Sequence, residues 1–182
     1  MRDIINIADY PIENPASVQY LEAVSKVRAG LAREGCAVLP RFLSEEGLAA
    51  CRAETRSLAP EAHVTRRRTN PYGSGTAPDL PPEHPGRRLL LRSNGFVAGD
   101  RIGPERALRR LYADPALQRF LADCLEVPRL HPYADPLADL VINVLQPGCA
   151  HPWHFDNNDF IATPLPPEAE GGGACEYCPG LR

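Results

Sequence analysis

The texture of this chain changes once, after Pro136, and that change constrains the fold more than any single motif. Before it, apolar residues recur at helical spacing between capping signals; after it come short alternating runs broken by proline and glycine. A helical part followed by hairpin-like strands predicts an α+β protein. At 182 residues the chain fits one domain that buries a core without staples.

Local signals place the elements. Asn14 can cap a first helix of about 20 residues, with Pro15 suited to its first position and Gly35 to its end. Val18, Leu21, Val24 and Leu31 predict its buried stripe, and Cys36 to Leu39 reads as a short strand. Ser44 caps a second helix to about Leu58, with Glu45 and Glu46 in its first turn. From Pro60 to Arg88 the prolines and glycines predict a long loop. Leu89 to Arg92 resumes extended structure, one helix starts near Pro104, and Asp114-Pro115 opens another. Asp139 to Gln146, Trp153 to Phe155, Phe160 to Thr163 and Ala174 to Tyr177 are strand candidates, with Gly171 to Gly173 as a turn.

A net charge of -3 gives no bulk attraction for nucleic acid. Arg66-Arg67-Arg68 and Arg87-Arg88 read as a solvated face, or as a contact for an anionic substrate group. The first residues lack the apolar run of a signal peptide, and no stretch approaches the ~18 apolar residues of a membrane span. The expected location is therefore the cytoplasm, where the six cysteines would stay as thiols.

Chemistry concentrates in Trp153-His154-Phe155-Asp156. On an extended segment, residues two apart share a face, so His154 and Asp156 would aim an imidazole and a carboxylate at one point. That is the start of a two-histidine, one-carboxylate facial triad, whose mixed donors suit Fe(II). Asn143 on the preceding strand could face inward and reach a ketoacid bound at such a metal, or face outward.

The run Tyr133 to Leu137, Asn143-Val144, Pro147-Gly148, Trp153 to Asp156, Asp159-Phe160, Thr163, Gly171-Gly172, Glu176-Tyr177 and Pro179 to Arg182 resembles the Fe(II)/2-oxoglutarate-dependent oxygenases. The likeness is to the bacterial branch of amino-acid hydroxylases and free-amino-acid halogenases. Arg92 to Gly95 and Leu108 to Tyr112 fit the same branch, so it covers most of residues 85–182. The resemblance implies a double-stranded β-helix (jelly roll, cupin-like) that uses Fe(II) and 2-oxoglutarate to oxidise a small polar metabolite such as an amino acid. His154 and Asp156 match the first two iron ligands. Halogenases carry a small residue at the carboxylate position, so Asp156 implies hydroxylation.

The chain also departs from that pattern. No histidine follows Asp156, and Arg182 does not match the later arginine that holds 2-oxoglutarate. His63, His84, His131 and His151 lie upstream and match no third-ligand motif. Pro164-Leu165-Pro166-Pro167 stands where a continuous strand is expected. The implied molecule is a C-terminally truncated single oxygenase-like domain over residues 1–182. Its helical part spans 1–59, its long loop 60–88, and its further helices and first strands of an incomplete β-helix 89–182. Such a relative could be non-catalytic, a binding module that self-associates through unpaired strand edges. A third reading takes Cys175 and Cys178 as half a zinc site or a redox pair.

Overall fold

A computed structural model describes residues 3–73, 75–156, 158–164 and 175–180. Among the described residues there are four α-helices, two before the first strands and two after the fourth strand: α1 (Val18–Glu34), α2 (Glu45–Leu58), α3 (Ala107–Ala113) and α4 (Pro115–Leu125). Five short strands accompany them: β1 (His63–Val64), β2 (Arg67–Thr69), β3 (Leu90–Arg92), β4 (Gly95–Val97) and β5 (Ile142–Val144). The strands form a three-stranded sheet ordered β1-β4-β5 and a two-stranded sheet of β2 and β3, all antiparallel. The protein is thus mixed helix and sheet, and no barrel closes among the described residues.

Each helix begins where a side chain satisfies its free N–H groups. Ser44 Oγ accepts from Gly47 N at 2.9 Å, and Asp114 Oδ1 accepts from Leu117 N at 2.7 Å, as their positions in the sequence predict. The cap of α1 is Ser17, not Asn14: Ser17 Oγ accepts from Tyr20 N at 3.2 Å. Asn14 instead closes the preceding turn, its carbonyl accepting the Ser17 hydroxyl at 2.8 Å. Gly35 ends α1 at φ +68°, where its N–H reaches Leu31 O at 2.8 Å. The cap of α3 is supplied by another helix: the Glu54 carboxylate accepts from Ala107 N at 2.6 Å and Leu108 N at 3.1 Å.

The buried face of α1 is Tyr20, Ala23, Val24 and Val27, while Val18 and Leu21 are exposed. The helix is rotated from its expected stripe because Tyr20 has tertiary partners. Its ring meets Phe120 edge-on at 5.4 Å, and its hydroxyl donates to Asp123. Phe42 stacks on the other side of Phe120 at 6.3 Å and meets Tyr10 at 5.1 Å. Ile4, Ile5 and Ile12 complete this side of the core. The chain start is sewn to α2, since Ser44 N donates to Ile4 O and Asn6 N to Phe42 O, each at 2.9 Å. Gly47 permits that approach, because a β-carbon there would lie 2.6 Å from Ile4 Cα.

Burial and the Asp123 partner push the Tyr20 hydroxyl up to about 12. An unfolded tyrosine titrates near about 10, so the folded state keeps a proton that the unfolded state loses. Stability present below about pH 10 is therefore expected to fall as pH rises toward about 12. Urea unfolding across that interval checks this. Tyr20→Phe should lose less than the parent protein, and equal losses would assign the decline elsewhere.

Other expectations change. Cys36 to Leu39, Trp153 to Phe155 and Phe160 to Thr163 form no strand. The Phe155 N–H bonds Pro71 O at 2.8 Å instead of a ladder partner, and Phe160 and Ile161 stay exposed. Residues 60–88 are not one structureless loop, for β1, β2 and two 3-10 turns lie within it or at its start. The Gly171 to Gly173 turn and most of the Pro164 to Pro167 run lie outside the described residues.

Candidate functional site

His154 and Asp156 lie on an irregular segment after β5, fixed to the two sheets at separate points. Ser93, between β3 and β4, exchanges hydrogen bonds with Ala150: its N–H donates to Ala150 O and its Oγ accepts from Ala150 N, both at 2.9 Å. Pro71, just beyond β2, accepts from Phe155 N at 2.8 Å. On either side of the second anchor, His154 Nε2 and Asp156 Oδ1 come within 3.2 Å. The convergence arises on an irregular backbone and not on the strand that the sequence suggested.

The other nitrogen of His154 gives this pair its chemical meaning. Nδ1 stands 2.8 Å from the Pro152 carbonyl, which can only accept, so Nδ1 carries the proton. With Nε2 protonated as well, the contact is an ion pair; with it unprotonated, a bare Nε2 lone pair faces a carboxylate oxygen. Two acceptors at that separation are stabilised by a proton or a metal cation between them. Metal–ligand distances of 2.0–2.2 Å at a right angle place donor atoms roughly 3 Å apart. The pair therefore fits two adjacent ligands of a divalent ion, with the backbone carbonyl orienting the imidazole.

Two further groups line the site: His151, which matches no ligand motif, and Arg92, which the sequence marks only as part of the Arg92 to Gly95 resemblance. The His151 ring stacks on His154 with centroids 4.1 Å apart and planes inclined 11°. Burial, then the neighbouring His154 and Arg92, push His151 down to about 4, against the opposing pull of Asp156. His151 is thus neutral at pH 7, and its buried Nε2 has no partner among the described residues. Arg92 pairs across the small sheet with Arg67. Burial and that like charge lower its basicity, while Asp156 raises it. A half-buried guanidinium beside another arginine is suited to receive an anionic group.

Asn143 lies beside this guanidinium through one intermediary. Arg92 Nε donates to Asn94 Oδ1 at 2.8 Å, and Asn94 Nδ2 donates to Asn143 Oδ1 at 3.2 Å. Asn94 is buried and Asn143 exposed, so Asn143 presents its amide at the outer end of the chain of contacts.

The remaining candidates are engaged elsewhere. His63 meets Phe96 edge-on at 5.8 Å, His84 Nδ1 accepts from Gly86 N at 3.0 Å, and His131 Nε2 accepts from Arg129 Nε at 2.9 Å. Cys175 and Cys178 are exposed thiols. Among the described residues no three His, Cys, Asp or Glu side chains form a group ready to hold a metal ion, so the described site offers a pair of ligands and not a triad. No described helix is long and apolar enough to cross a membrane.

Comparison with protein-family models, with curated proteins and with solved structures finds no match.

Proposed function

We propose that the protein is an Fe(II)- and 2-oxoglutarate-dependent dioxygenase of the hydroxylase type, acting on a small polar metabolite such as an amino acid. The observation that carries this reading is the 3.2 Å approach of His154 Nε2 to Asp156 Oδ1 with Nδ1 tied to Pro152 O. When bound, the iron and ketoacid would supply the oxidising chemistry. His154 and Asp156 would hold the metal, and Asp156 would occupy the position that a halide needs. Arg92 would receive a carboxylate, and the Asn143 amide would hydrogen-bond the ketoacid. The small sheets would be part of a double-stranded β-helix.

A second reading is favoured by a specific observation, the pair of ligands in place of a triad. In it the protein binds metal or metabolite without turnover and self-associates along strand edges, β1 and β5 flanking a sheet in which β4 is paired on both sides.

One experiment separates them. The protein is supplied with Fe(II), 2-oxoglutarate, ascorbate and a mixture of amino acids, and succinate is followed beside iron bound per chain. Succinate released with one iron per chain is the expected result. Iron bound without succinate selects the binding module, and no iron bound removes both metal readings.

A further inference from the structure

We infer that Tyr72 positions the His154–Asp156 pair, so that the loop carrying it sets the affinity of the site for metal. This deepens the metal reading above and rests on it.

The loop is organised by one side chain. Asn70 is 2% exposed, and its Nδ2 donates to Gly75 O at 2.6 Å and to Gly86 O at 2.9 Å. Its Oδ1 accepts from Tyr72 N at 3.0 Å. A single buried amide thus ties the start, the tip and the far end of the loop together. Gly86 is buried at that far end, where a β-carbon would lie 2.9 Å from Leu80 Cδ1 and 3.1 Å from His84 Nδ1.

The loop so formed presents Tyr72 to the site. One neighbour of its ring is His84, at 6.0 Å with planes 18° apart. The other is Phe155, at 5.0 Å and 29°. Pro71, which precedes Tyr72 in the chain, accepts the Phe155 N–H. Phe155 is therefore held both at its backbone and at its ring, and it is the residue between the two ligands. Fixing Phe155 fixes the bearing of the peptide units from which His154 and Asp156 project.

Tyr72 has little other structural work. It is 46% exposed, and neither Tyr72 nor Phe155 belongs to the buried core cluster. A ring kept half in water, with both its stacking partners in this loop and the ligand segment, acts on the site and not on global stability. Stacking is a property of the ring, so phenylalanine should replace tyrosine while alanine should not.

The test uses the full chain, with Co(II) as the probe. Tyr72→Ala should weaken Co(II) binding by about tenfold, the scale of outer partners of metal ligands, while Tyr72→Phe stays within about twofold. The urea midpoints of both should match the parent. A metal-free readout accompanies this. The Phe155 amide should exchange hydrogen about tenfold faster in Tyr72→Ala, while amides around Phe120 are unchanged. Unaltered Co(II) binding and unaltered exchange in Tyr72→Ala would overturn the inference, as would a Tyr72→Phe variant as weak as the alanine. Failure of the parent to bind Co(II) would overturn the metal reading and the claim on affinity, and the exchange result would then decide the positioning role alone.

Discussion

Phe120→Ala is expected to lower the unfolding free energy by about 3–5 kcal/mol, the cost of emptying a fully buried aromatic site. Phe120 on α4 is 0% exposed and sits between Tyr20 of α1 and Phe42 of the segment before α2. Phe120 and these two neighbours belong to three separate elements, so closing the cavity would require helices to shift. Tyr20 is further held by its hydrogen bond to Asp123, one turn along from Phe120, and Arg28 fastens α1 to the Asp123 carbonyl at 2.8 Å. Single domains are stable by about 5–15 kcal/mol, so this loss is a large share of the total. Urea denaturation measures the difference. A loss below about 1.5 kcal/mol would mean that the surrounding helices collapse readily and that the aromatic cluster is not the centre of the core.

Removal of either ligand should produce the largest functional effect. His154→Ala and Asp156→Ala are each expected to weaken Fe(II) or Co(II) binding by more than about 100-fold, beyond the range for losing an outer partner. Neither variant should unfold the protein. Both side chains are solvent-accessible, at 36% and 50%, and neither lies in the core cluster. Asp156→Asn keeps the shape but removes the charge, and should fall nearer to alanine than to the parent. Isothermal titration beside urea midpoints checks all three. Retained metal affinity in any of them would place the metal elsewhere, and a parallel loss of stability would turn a ligand into a structural ion pair.

Short-range chemistry was the legible part of this chain. Ser44, Gly35 and Asp114-Pro115 act on backbone groups within one turn, so their effect needs no knowledge of the rest of the fold. The approach of His154 to Asp156 is likewise local. It persists although the backbone around it is irregular, because two side chains separated by one residue can meet in several conformations.

What stayed hidden depends on partners distant in sequence. The face that α1 buries is chosen by Phe120 and Asp123, about a hundred positions away by number. Glu54 caps α3 across a gap that no periodicity reports. Arg92 and His151 gain their character from Arg67, His154 and burial, which follow from strand pairing and from the Ser93–Ala150 bonds. The strands expected after Pro152 failed for the same reason. Alternation and β-branching give a segment the capacity to pair, but its ladder needs a neighbour, and the Phe155 N–H found Pro71 instead.

Ser93 follows β3 on the way to β4 and Pro71 follows β2, and both grip the same few residues. That span works as a crossbar from the end of β2 to the link at which the chain leaves the β2–β3 sheet for β4 of the other. Anything that straightens or tightens the crossbar would pull on that link, where the two sheets are joined. Occupancy would then be transmitted mechanically, as a change in inter-sheet angle that a probe well away from the bound molecule could register.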